Sequence, residues 1–386
     1  MTSRRDPGAK RAAAAVAAPA AAAIERQNLG GNGVRRACAL SDVGAAGYVP
    51  HPLHGPDAAW LEKNCYVDLW IELLSSLKLD PHALWPCTVA LDFLGDQWTF
   101  FKPPHDELRS LYGIDVQELT VWRPLSEHVI EHLGAGRPLS IEADAFWLPD
   151  TAGTDYRRNH SKTTIVLNDV DLDARRVGYW HNAGYFEARG EDVTRLLDLP
   201  DAASDLEAIA DWRGSRIAEV GATTVALDEG KLPLYAEFIR TGKRVLRSTD
   251  ELQTLALHHL ATHLAFRPDD NPIRRFATRL ADDLPLLREY GLPYYHQWAF
   301  GTVRQLGAAF DFAARGLAWH DAPDGSPLHD AMRSFDTIAR DAKTLILKLA
   351  RAVSSTKNVD VAPMLDGMAV AWDAGMAALD RDVGGG

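Results

Sequence analysis

The sequence predicts an α+β domain followed by an all-α helical bundle, and three observations carry that reading. The run Asn64-Cys65-Tyr66-Val67-Asp68-Leu69-Trp70-Ile71-Glu72-Leu73-Leu74 is apolar and helical. Between residues 88 and 182, short apolar runs alternate with Gly, Pro, Asp and Asn turns, the pattern of strands. Beyond about residue 200 the spacing turns helical: Ser248 and Glu251 form a capping box, and Asn271-Pro272 opens a helix that ends at Gly291-Leu292-Pro293.

In order, residues 1–45 read as a dispensable Ala/Gly-rich disordered extension, with Ala12 to Ala23 broken by Pro19 and Asn28 to Gly33 as flexible loop. The stretch is too weakly apolar for a secretory signal, and Arg4-Arg5 is not followed by apolar residues as a twin-arginine signal requires. The α+β domain spans 46–200. Its first helix ends near Leu79-Asp80-Pro81; Thr88 to Leu94 and Gln97 to Phe101 read as strands, Asp106 to Tyr112 as a helix and Val116 to Trp122 as a strand. Leu125 to Leu133 is a helix and Arg137 to Pro149 a strand. Lys162 to Asn168 and Val177 to Asn182 flank a turn centred near Leu172-Asp173, which makes them a hairpin. The bundle spans 201–386, with long helices over Tyr294 to Trp319 and Leu328 to Val353.

Composition bounds the function. The 386 residues, 46% hydrophobic and 24% charged, suit an enzyme-sized protein with a sizeable core. A net charge of −12 leaves no dominant basic surface, which argues against nucleic acid as a general partner. Cys38, Cys65 and Cys87 form no close pair and no Cys-x-x-Cys signature, so reduced thiols and a cytoplasmic setting are expected. No run approaches the roughly 18 apolar residues that span a membrane. No glycine-rich loop follows a strand, so no cofactor is expected. His51 and His54 read as loop packing, and of His258, His259 and His263 only the last two share a helix face, without an acidic or third well-placed ligand, so no metal is expected.

Cys65 stands at a helix start, where unpaired N–H groups and the helix dipole favour a thiolate. Alone it is equally a small buried core residue. His160 and Asn182 change the balance, because the hairpin is expected to bring the imidazole near the amide. A thiol nucleophile needs a base, and the base needs a group that fixes its tautomer. Cys87 reads as core and Cys38 as part of the tail.

The order Cys65, His160, Asn182 resembles the Cys–His–Asn order of papain-like folds. More closely, Asn64-Cys65, Asp144-Ala145-Phe146-Trp147-Leu148-Pro149, Tyr156 and His160 resemble the N-terminal domain family of butirosin biosynthesis protein H, papain-like acyltransferases. From residue 46 onward the chain also resembles a numbered bacterial domain-of-unknown-function family, through Asn64 to Leu74 and Tyr179-Trp180-His181-Asn182-Ala183-Gly184-Tyr185-Phe186. The resemblances imply transfer of an acyl or aminoacyl group from a carrier-protein thioester to a small-molecule amine. Butirosin-type sequences place an acid where this chain has His181-Asn182, so the residue that orients His160 is Asn182, Asp144 or His181. The oxyanion glutamine of papain-like proteases has no counterpart at Ala59, Trp60 or Leu61, which leaves Asn64 or backbone N–H groups at the helix start. An acidic carrier would need a basic face such as Arg274, Arg275 and Arg279, or Lys343, Lys348 and Arg351. Two other functions stay open: a cysteine hydrolase of amides or thioesters, and a non-catalytic carrier-binding scaffold.

Overall fold

The computed structural model describes residues 34–199, 235–355 and 360–384. In chain order these form β1 (Arg36–Cys38), α1 (Cys65–Ser76), a 3-10 stretch (Pro81–Thr88), β2 (Phe93–Leu94), β3 (Gln97–Trp98), α2 (His105–Tyr112), β4 (Asp115–Glu118), α3 (Leu125–Gly134) and β5 (Leu139–Asp144). Next come β6 (Lys162–Asp171), β7 (Arg176–His181), β8 (Gly184–Arg189), α4 (Glu191–Leu196) and β9 (Ala236–Arg240). The helical region holds α5 (Thr249–Ala265), α6 (Pro272–Gly301), α7 (Val303–Trp319), α8 (Pro327–Ser354) and α9 (Ala362–Gly384). The protein is therefore mixed α/β, with an antiparallel sheet and a helical C-terminal region.

The sheet runs β4-β9-β5-β6-β7-β8, and β1 also pairs with β6. Strand alternation divides its two faces. Leu139, Ile141, Ala143, Ile165 and Leu167 meet Val129 and Leu133 of α3 in one core. Ser140, Glu142 and Asp144 of β5 and Thr164 and Val166 of β6 share the opposite face. There α1 packs: Trp180 Nε1 donates to Ser76 Oγ at 3.1 Å, and Val166 and Trp180 join the α1 core.

Several elements depart from the sequence reading. Thr88 to Leu91 is not strand. Pro81 and Pro86 favour a tight helix, Asp80 caps it by accepting from His82 N, and its apolar side chains are buried as a 3-10 stretch. Arg36–Cys38, within the expected tail, pairs with Asp169–Asp171 of β6; residues 1–33 of that tail lie outside the described residues. Beyond residue 200 the chain is not all helix, because β9 lies between β4 and β5. The helix expected over Tyr294 to Trp319 is interrupted at Thr302, whose φ of −119° and ψ of −91° are non-helical.

Buried charge fixes α1 in place. His54 bridges Glu72 through Nδ1 (2.5 Å) and Asp68 through Nε2 (3.0 Å). Lys63 N donates to both Asp68 oxygens, and its ammonium pairs with Asp311 of α7 at 2.7 Å. Tyr48 donates to Glu72 Oε2 at 2.7 Å. Two glycines let α7 come close: a Cβ at Gly307 would collide with Trp60, and one at Gly316 with Trp85. The expected basic face at Arg274, Arg275 and Arg279 is consumed by acids of this chain, Asp373, Asp92 and Asp283 respectively.

Candidate active site

Asn64 starts α1 from an extended conformation. Its Oδ1 accepts from Tyr66 N (3.1 Å) and Val67 N (2.9 Å), and its Nδ2 donates to Phe101 O at 3.0 Å. The asparagine is thereby committed to the cap and to holding the neighbouring loop. Of the oxyanion donation expected of it, only the second Nδ2 hydrogen is left. The N–H of Cys65 donates to no group among the described residues, so it is a free backbone donor beside the Cys65 thiol. Cys65 is half-buried and unpaired. Its side chain makes no hydrogen bond among the described residues.

His160 lies just before β6. Its Nδ1 is 2.6 Å from Asp144 Oδ2, and its ring stacks on Phe146 at 4.3 Å with an interplanar angle of 10°. The same carboxylate accepts from Phe146 N through Oδ1 at 3.0 Å. The Asp-Ala-Phe-Trp sequence thus does two things: Asp144 caps the short 3-10 turn Ala145–Trp147, and the turn presents Phe146 as a shelf for the imidazole. The His160 side chain is 66% exposed, and its Nε2 has no partner among the described residues. Asp144 fixes the ring so that Nε2 is the nitrogen left for chemistry.

Asn182 does not orient His160. The β6–β7 ladder shifts register between Leu167 and Asp169, and its last pair is Val166 with Trp180. Asn182 then occupies the turn into β8 with a φ of 45°. By that register it lies level with Thr164, four residues or roughly 13 Å along the strand from His160. His181 points to the other face, where it meets Thr163 Oγ1 (2.8 Å) and Asp150 Oδ2 (2.6 Å) and is buried. Tyr156 also lies apart from His160: its hydroxyl donates to Asp192 Oδ2 at 3.0 Å, beside Arg157 on Oδ1. Asp144 alone of the three candidates contacts the imidazole.

The sheet face under α1 brings the two halves of the site to one side of the molecule. Tyr66, next to Cys65, reaches His105 Nε2 at 2.9 Å; burial, and then the Glu237 and Glu142 charges, push its phenol pKa up. Through His105 the Tyr66 hydroxyl is linked to Glu237 of β9, which pairs with Ser140 of β5, and Asp144 is four residues along β5 from Ser140. Sequence reasoning missed Phe146, His105 and Glu237. An Asp two residues before an aromatic was the local signal for the first; the others come from distant elements.

His259 and His263 are met by Glu107 of α2, at 3.8 and 2.6 Å, and join α5 to the sheet domain. No group of three His, Cys, Asp or Glu suited to a metal ion occurs among the described residues. No helix of the described residues is long and apolar enough to cross a membrane.

Family models for the DUF1839 N-terminal domain and the DUF1839 C-terminal domain match residues 49–210 and 249–381 respectively. No curated protein matches the chain. The chain belongs to the DUF1839 family.

Proposed function

We propose that the protein is a cysteine acyltransferase of papain-like design, moving an acyl or aminoacyl group from a carrier-protein thioester to an amine. The reading is carried by one observation: an imidazole held by Asp144 with Nε2 free, on the sheet face packed by the helix that begins with Cys65. His160 Nε2 takes the Sγ proton as sulfur attacks the thioester carbon, and returns it to the departing carrier thiolate. The resulting acyl-Cys65 is attacked by the amine nitrogen. The carbon–sulfur bond breaks, and the surplus amine proton passes through His160 to Sγ. The Cys65 N–H and the start of α1 stabilise the oxyanion in both steps. Exchange of one thioester for another is nearly isoenergetic, so positioning the amine and excluding water are the enzyme's main tasks. The missing Cys65–His160 hydrogen bond is compatible with a free enzyme, where such contacts often tighten only with substrate. A cytoplasmic setting would keep Cys65 reduced.

The exposure of His160 favours a second reading, hydrolysis, in which water replaces the amine. Intact-protein mass spectrometry with a panel of acyl- and aminoacyl-loaded carriers tests the scheme. An adduct on the wild type that is absent from Cys65→Ala and slow on His160→Ala is expected. No adduct from any donor, with ordinary alkylation kinetics at Cys65, would leave a carrier-binding scaffold in its place. Product analysis with and without amines separates transfer from hydrolysis.

A further inference from the structure

Below Tyr66 the sheet carries polar groups that the acyl-transfer scheme does not use. Glu237 of β9 has a side chain only 5% exposed. It accepts from the Tyr235 hydroxyl at 2.8 Å, and His105 Nε2 is 3.6 Å from its Oε1. No lysine or arginine pairs with it among the described residues. Glu142, by contrast, has Lys162 Nζ at 2.8 Å. Ser140 stands opposite Glu237 in the β5–β9 ladder, so both side chains leave the same face. Ser140 is 2% exposed, and its Oγ has no hydrogen-bond partner among the described residues. A buried carboxylate whose nearest basic group is the His105 imidazole at 3.6 Å, and a buried hydroxyl without a partner among the described residues, are both costly unless something else completes them.

We propose that Glu237 and Ser140, with the Tyr66 and Tyr235 hydroxyls around them, form a subsite for a primary ammonium group of the amine acceptor. The inference rests on the acyltransferase reading and adds the class of acceptor. Carboxylate, serine and phenol oxygens all accept hydrogen bonds, and an ammonium supplies three N–H donors and a permanent positive charge that the His105 imidazole carries only when protonated. An ammonium held there has no lone pair, so it is not the nitrogen that attacks acyl-Cys65. The acceptor therefore carries two amino groups: one anchored as the cation, the other entering as free base, losing a proton to His160 and leaving as the amide. Half-buried His105 and Tyr235 connect the cluster with solvent.

Calorimetry on the full-length Cys65→Ala protein, with 1,4-diaminobutane and n-butylamine as probes, tests this without turnover. The diamine should bind on the order of tenfold tighter than the monoamine. Glu237→Gln should remove most of that difference, and Ser140→Ala part of it. Should Glu237→Gln fail to fold by circular dichroism, Tyr235→Phe, which removes only the hydroxyl on Glu237, should weaken diamine binding several-fold. Equal binding of the two amines overturns the proposal, as does diamine binding that is indifferent to these substitutions or abolished equally by potassium and sodium chloride at matched ionic strength. Acylation of Cys65 by a loaded carrier does not involve the subsite. A failed adduct with intact diamine preference would thus count against the transferase, and the converse against the subsite.

Discussion

Among the histidines of the sheet domain that pair with carboxylates, His54, His181 and His160 differ in what the other nitrogen does. His54 is clamped on both sides, by Glu72 and Asp68, with a side chain 1% exposed. His181 is also filled on both sides, by Asp150 and Thr163. His160 has Asp144 on Nδ1 and nothing on Nε2 among the described residues, at the surface. A carboxylate–imidazole pair is therefore no mark of catalysis by itself. A saturated pair ties elements together, whereas a pair with one nitrogen open to solvent can accept a proton.

The contrast breaks most sharply by removing each ring. His160→Ala should slow acylation of Cys65 on the order of 10²–10⁴-fold and leave the urea unfolding midpoint nearly unchanged. His54→Ala should do the opposite, costing about 3–5 kcal/mol in urea unfolding because Asp68 and Glu72 lose their shared partner. Equal effects of the two substitutions on acylation, corrected for folded protein, would erase the distinction. Asp144→Asn should lower the acylation rate on the order of 10²-fold, since a mis-set tautomer leaves Nε2 protonated. A rate matching wild type would show that Phe146 stacking alone holds the ring.

pH sharpens the comparison further. Burial alone would lower the His54 pKa, but the Asp68 and Glu72 carboxylates outweigh it and lift the pKa from 6.5 to about 8. The folded value exceeds the unfolded one, so this stabilisation is complete below pH 6.5 and is lost as pH rises through about 8, a change of about 2 kcal/mol. His51, His132 and His320 have the opposite sign: burial holds each at about 4, so their contribution is present above pH 6.5 and lost as pH falls towards 4. Chemical denaturation from pH 5 to 9 should give a dome whose alkaline limb disappears in His54→Ala. The smallest effect on acylation belongs to Asn182→Ala, expected within about 0.5 kcal/mol of the wild-type barrier, while its left-handed backbone (φ 45°) makes the alanine cost about 1 kcal/mol in stability. A large loss of acylation there would restore the amide to the site.

The elements legible in the sequence were those with local signals. The β6–β7 hairpin, α2 ending at Gly113 (φ 69°) and the start of α1 at Cys65 each rest on residues within a few positions of one another. Residues 88–91 misled because a continuous apolar run has no period, and two prolines outweighed its strand propensity. Of the candidate site, Cys65 and His160 were picked out by residue type, and Asp144, which the structure places on the imidazole, stood among the candidates for orienter. Asn182 drew attention through a register count too coarse to see that the amide stops level with Thr164; the one-residue irregularity at Asn168 brings it nearer His160 and does not cause the gap. The His54 network had an unread signal, since Asp68 and Glu72 stand four apart on an otherwise apolar helix and require a buried cation.

The position of β9 bears on how the chain is made. The strand that joins β4 to β5 is Ala236–Arg240, more than ninety residues after β5 ends at Asp144. During synthesis, β5 to β8 can assemble as each hairpin leaves the ribosome, but β4 has no neighbour until β9 emerges. A nascent chain halted at residue 210 would present the bare edge of β5 to other chains. Translation speed across residues 200–235 therefore sets how long that sticky edge is offered to chaperones.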